Sequence, residues 1–381
     1  MGGFSYHRRM KKLPSLPSLT LLLALLTWWV PLANAVEVPG LYQATQPVDS
    51  REDARQRTRA FAAGMREMLV RLTGHDDVLQ NPEIQQALAN PQSYVESWAY
   101  QTRPDPRTQE QRLFIDLAYF ENSVQQLLTN AGVALWPQNR PQTLVWIIVK
   151  DETGAQILVN PAGGVGVNEW QALQNAATTR GLPLVLPHWD YEDQTTMLPE
   201  SLWELDETAL RTASVRYGFE SLLAIRAERL PGGHFSGKAL HIFRDHVHDK
   251  EVIDVAAPEL LSAMVSMVTE ELADNYAVKV TARGSSNAAV AGDAQVLLLS
   301  VDGVHGLDDY ANVLHYVENL AGISDLQVRE VSAGTLTFSL NAAGQVRQLV
   351  ENLAIDRKLQ SLGEPASEAG RMHLRYRWQT R

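Results

Sequence analysis

Apolar residues recur along this chain at two spacings, every three to four residues and every second residue, and the change from one to the other predicts its elements. Leu41 to Val48 suits a short strand. Phe61, Met65, Met68, Leu69 and Leu72 then fall on one face with arginines opposite, predicting a helix that opens on Ser50-Arg51-Glu52-Asp53 as a capping box and closes at Gly74. Tyr94 to Gln101 and Arg112 to Tyr119 read as a hairpin across the polar loop Thr102 to Glu110, and a second helix follows near Asn122 to Asn130, closed by Gly132. Thr143 to Lys150 is apolar on both faces, as a strand in the middle of a covered sheet must be.

Helix and strand signals alternate beyond that point. Glu169 to Arg180 and Asp206 to Tyr217 read as helices and Pro183 to Leu186 as a short buried strand. Ser221 to Arg229 and Phe235 to Arg244 form a hairpin around Pro231-Gly232-Gly233, and a helix from Pro258 to Asn275 carries Leu260, Leu261, Met264, Met267, Val268 and Leu272 on one face. This order predicts a parallel or mixed sheet covered by helices. Residues 281–292 turn to Gly, Ser, Ala and Asn and read as a linker. Beyond them come strand (Val296 to Val301), helix (Leu307 to Leu320), strand (Leu326 to Val331), strand (Thr335 to Leu340), helix (Gln345 to Ile355) and strand (Met372 to Trp378). The expectation is a multi-domain α/β and α+β protein: an N-terminal α+β module (36–140), a central α/β module on a mixed sheet (141–280) and a ferredoxin-like βαββαβ domain (293–381) that folds independently, its last strand inside the sheet.

The first 35 residues follow a different pattern. Arg8, Arg9, Lys11 and Lys12 precede an apolar run from Leu19 to Val30, broken by Pro31 and followed by Ala33-Asn34-Ala35. Small side chains at Ala33 and Ala35 fit signal peptidase recognition, so residues 1–35 read as a signal peptide cleaved after Ala35. About twelve apolar residues rise only about 18 Å as a helix, short of the roughly 30 Å hydrocarbon core. No later run of the mature chain is long enough for a transmembrane helix. Loss of the leader moves the formal charge from −11 to −15, which disfavours nucleic acid and anionic surfaces. The chain has no cysteine, excluding disulfides, thiolate metal sites and thiol nucleophiles. A periplasmic location in a Gram-negative cell is the expectation.

Two polar segments offer candidate chemistry. His241, Asp245, His246, His248 and Asp249 are the densest set of metal-ligand types, with His241, His246 and His248 the candidate metal ligands. A solvated hairpin end explains the same charges. His188, Asp190, Glu192 and Asp193 lie just past a predicted strand end, where α/β sheets place ligand sites and paired carboxylates could do acid–base work. A polar loop capping the next helix is the simpler reading. Gly232 to Lys238 has the glycine and lysine spacing of a P-loop, but Ala239 replaces the magnesium-binding hydroxyl and a strand follows where a helix is needed. Gly163-Gly164-Val165-Gly166 lacks the third glycine of a dinucleotide fingerprint. Arg375, Arg377 and Arg381 alternate with Tyr376 and Trp378 on the last strand, which should turn those rings into the core rather than towards RNA.

Leu182-Pro183-Leu184-Val185-Leu186-Pro187 with Asp190, Ala213-Ser214-Val215-Arg216-Tyr217-Gly218, and Gly303-Val304-His305-Gly306-Leu307 resemble a family of exported proteobacterial envelope proteins of unknown function, DUF2066. The resemblance implies no assigned activity and no catalytic residues. No cofactor is expected. The functional expectation is a non-catalytic binding or assembly module of the cell envelope with a protein partner; the alternative is a metal-binding protein or hydrolase using 188–193 or 241–249.

Overall fold

The computed structural model describes residues 35–105, 110–279, 296–332, 334–342, 345–356, 358–368 and 371–379. The leader reading lies outside them up to residue 34, as does the linker reading at 281–292. Within them the chain is a mixed α/β protein with several sheets and several hydrophobic cores.

The first module places helix α1 (Ala54–Thr73) on a three-stranded sheet in which β4 (Gln111–Tyr119) lies between β2 (Gln43–Pro47) and β3 (Val95–Pro104). β1 (Ala35–Glu37) stands apart and pairs with β6 (Asn139–Pro141). The Asp53 side chain caps α1 by accepting from the Arg55 and Gln56 amides, and Gly74 ends it at φ 79°. Each residue of the expected apolar face is buried. Helix α2 (Pro82–Ala89) was not anticipated; it packs beside α3 (Glu121–Asn130), and Ile84, Leu88, Val124 and Leu128 share the α1 core. β5 (Ala134–Leu135) leads out of the module.

The central sheet runs β12 (His246–Ala256), β11 (His234–Phe243), β10 (Ser221–Arg229), β7 (Thr143–Lys150) and β8 (Gln156–Leu158), with β9 (Leu184–Val185) also pairing β7. β10 and β9 run parallel to β7 and the other neighbours antiparallel, so the sheet is mixed as expected. Helices α4 (Val167–Arg180) and α8 (Ala257–Tyr276) cover one face, sealing Val145, Ile147, Leu223 and Ile225. The short helices α5 (Tyr191–Thr196), α6 (Pro199–Trp203) and α7 (Glu207–Ser214) cover the other, over Leu144, Trp146 and Ile148. Gly232 and Gly233 sit at positive φ in the β10–β11 turn, so the P-loop-like spacing is a hairpin.

Helix α8 leads into β13 (Val278–Lys279), which pairs with β5. The last module contains β14 (Val296–Asp302), α9 (Leu307–Glu318), β15 (Ser324–Ser332), β16 (Thr335–Asn341), α10 (Val346–Ile355), β17 (Leu359–Ser361), β18 (Ala366–Glu368) and β19 (Arg371–Trp378). Its sheet is ordered β15-β16-β14-β19-β17. Leu374 and Tyr376 are buried in it. β19 runs parallel to β14, and β17 lies outside it. In a ferredoxin-like sheet the final strand is antiparallel to the first, so the insertion of β17 and β18 changes its direction. Leu307, the first residue of α9, is 86% exposed. The module is also tied to its neighbours: Ile355 joins the central core, Asn139 donates to Asp356, and Arg244 grips Glu351 at 2.6 and 3.1 Å.

Candidate functional site

A line of polar side chains crosses the central sheet from its buried middle to its edge. Thr143 on β7 and Ser221 on β10 are register partners whose hydroxyls lie 2.8 Å apart. Ser221 Oγ is 3.0 Å from His241 Nε2 on β11, and His241 Nδ1 is 2.7 Å from Glu271 Oε2 on α8. His248 lies opposite His241 on β12, its Nδ1 3.3 Å from the same Glu271 oxygen. The line ends at an exposed strand, since no strand pairs with the outer side of β12 among the described residues.

Ser, His and Glu in this order reproduce the connectivity of a hydrolytic triad. Access separates them from one: Thr143, Ser221 and His241 have no exposed surface, and they line neither the groove between α2 and α3 nor the one beside His75 and Asp274. An attacking hydroxyl must reach a substrate carbonyl, and Ser221 Oγ is fully buried between Thr143 and His241. The line instead satisfies polar groups that would otherwise be costly to bury. Burial pushes the Glu271 carboxyl up, but the hydrogen bond with His241 and the positive potential of His241, His248 and His246 outweigh it and hold the group below its ordinary value.

Of the three histidines proposed as metal ligands, the structure brings His241 and His248 to Glu271, while His246 pairs across the ladder with Phe243. No group of three or more ligand-type residues converges as a metal site among the described residues. Asp249 is engaged by Lys238 at 2.7 Å. The segment expected to be a solvated hairpin end is a full strand of eleven residues.

The second candidate segment forms a knot with a part of the chain that sequence spacing alone does not bring near. Arg216 holds both oxygens of Asp190 at 2.6 and 2.7 Å and reaches Asp193 at 3.3 Å. Tyr217 donates to Asp193 and accepts from the His188 amide. The Arg216 hydrogen bonds, then the Asp193 amide, hold the Asp190 carboxyl well below its ordinary range. Burial and the bond to Asp193 raise the Tyr217 phenol. Trp189, at φ 54°, is locked into this unusual backbone by bonds to Asp193 and Val159 and by edge-on packing against Trp146. Asp190 caps α5 through the Asp193 amide, so these carboxylates bind the protein to itself.

Sequence reading missed Arg140, although it is wholly buried. It donates to the carbonyls of Pro137, Trp136, Arg71, Arg180 and Gly181 and lies 3.9 Å from the Trp136 ring centre. Burial, then nearby Arg71, pushes its pKa down to about 9, which still leaves it charged at neutral pH. Nothing local in the sequence marks Arg140, because its acceptors come from three separated stretches.

Comparison with known proteins corrects the expected family. A search of the curated proteins and of the solved structures finds no match to the chain. The DUF2066 resemblance is overturned, because the family model that matches is a different one. The residues that suggested it have local explanations: Asp190 is a helix cap held by Arg216, and Gly218 and Gly303 occupy positive-φ positions at 64° and 88°. Such demands recur in unrelated α/β proteins. What the chain matches, over residues 35–137, is the model of a domain of unknown function, DUF8605.

Proposed function

We propose that this protein is a non-catalytic binding or assembly module of the Gram-negative cell envelope, engaging an extended segment of a partner protein along β12. The observation that carries the reading is the edge itself. β12 spans eleven residues on the border of the central sheet, and its outer backbone groups have no strand partner among the described residues. Such an edge is a template for an added strand. Val247 and Ile253, 36% and 70% exposed, supply apolar side chains for a specific partner. Lys250 and Glu251 between them discourage indiscriminate pairing.

The periplasmic location rests on the leader-like pattern of residues 1–35. We read residues 36–140, 141–280 and 293–381 as the domains and the last as a ferredoxin-like variant with an inserted parallel strand. The metal-binding or hydrolase alternative gains no support, because His241, Asp190 and Asp193 are engaged within the protein and no group of three ligand-type residues converges among the described residues.

A photo-reactive side chain replacing Ile253 tests the edge in cells producing the full chain. One discrete adduct should form, Val247→Lys should abolish it, and the same probe at exposed Gln171 on α4 should give none. Equal adducts from both positions, or none from β12, would contradict the reading.

A further inference from the structure

A groove of about 700 Å³ opens between α2 and α3, within the range of small-ligand sites. We propose that it binds a neutral oligosaccharide. Asn122, Gln126 and Asn130 recur every four residues along α3 and so form one stripe. Gln86 and Asn90 bring two more amides from α2 and its cap.

Composition of the lining selects the ligand class. One residue in five of this chain is charged, yet Glu83 is the single charged residue that lines the groove, so no cationic side chain there recruits an anionic ligand and one carboxylate is all that a cation would meet. A side-chain amide offers two N–H donors and a carbonyl acceptor, which matches hydroxyl groups that both donate and accept. Asparagine is a poor residue for an exposed helix position, and its use at Asn122 brings α3 no capping bond. The amides of Gln86, Asn90 and Asn122 have no hydrogen-bond partner among the described residues, whereas Gln126 donates to Asn130 at 2.8 Å. Half-buried Tyr94 supplies an aromatic surface for a sugar face, and buried Ala87 and Leu127 add apolar contacts. The walls are anchored, since both helices bury their opposite faces in one core; a site held ready in this way loses less entropy on binding. α3 is about 15 Å long by its ten residues, enough for a short oligosaccharide.

The groove is separate from β12, so either reading can fail without the other. The test titrates the full-length chain, labelled with ¹⁵N in its side-chain amides, with chitotetraose and with maltotetraose. At least one sugar should give saturable shifts in the amide groups of Gln86, Asn122 and Gln126. Combining Asn122→Ala with Gln126→Ala should weaken its binding about tenfold through lost hydrogen bonds, with helical circular dichroism and melting temperature unchanged. No saturable shift with either sugar overturns the proposal, as does equal affinity in the double variant. Saturation of the groove by a neutral Gly-Ser peptide when neither sugar binds overturns it in favour of a peptide ligand.

Discussion

Replacing Arg140 by Met keeps most of an unbranched side chain and removes the guanidinium. In the wild type that group serves five carbonyls from Arg71 on α1, from Trp136 and Pro137, and from Arg180 and Gly181 at the end of α4. At a net value of about 1 kcal/mol per hydrogen bond, the loss would total about 5 kcal/mol. Relief from burying a positive charge without a carboxylate partner offsets part of it. The expected net destabilisation is therefore about 2 to 4 kcal/mol, and Arg140→Lys should fall between Met and wild type, because an ammonium has three donors and no planar fork. Urea unfolding followed by tryptophan fluorescence measures the change, with wild type and variants compared at one pH and salt concentration. A shift in Arg140→Met below about 0.5 kcal/mol, the scale of an inert surface change, would refute the view that these bonds tie α1 to the end of α4.

Three further outcomes follow from the same geometry. Gly74→Ala should cost about 2 to 4 kcal/mol in chemical unfolding, since its φ is 79° and a Cβ there would come within 2.3 Å of Ala273 on α8. Glu271 has a folded-state pKa below its ordinary value, so its contribution is present above that ordinary value, about 4.3, and is lost as pH falls through the folded one; the stability gap between wild type and Glu271→Gln should narrow below about pH 4 in pH-stepped urea melts. Arg244→Ala should speed amide exchange in α10 without changing α1, because Arg244 carries the contact to Glu351; unchanged exchange in α10 would show that the remaining ties, Ile355 in the central core and the bond from Asn139 to Asp356, suffice to hold it.

Where one face of an element is buried and the other wet, or where both faces are buried, its identity is plain in the sequence. The α1 face through Met65 and Met68 and the alternation of β16 show the first case, and the apolar run of β7 the second. β12 was obscured because an edge strand exposes both faces, so its charged residues look like a loop. Its hydrogen-bonding ladder, not its side-chain pattern, makes it a strand. α2 has a cap at Asn81 with Pro82 next to it, a signal that could have been used. The direction of β19 was not legible, since alternation reports faces and is silent about which strand lies alongside. The polar line through Ser221, His241 and Glu271 was equally hidden, because its members are brought together only when the sheet forms and α8 folds back on it.

The central claim is that β12 accepts a strand from a partner, and amide hydrogen exchange reads this most directly. Labelled full-length protein would be compared alone and after incubation with envelope extract from the producing cells, with residues 246–256 followed by mass spectrometry. The account predicts slowed exchange in β12 that is absent from α4 and is abolished by Val247→Lys. Unchanged exchange in β12, with protection elsewhere on the molecule, would contradict it.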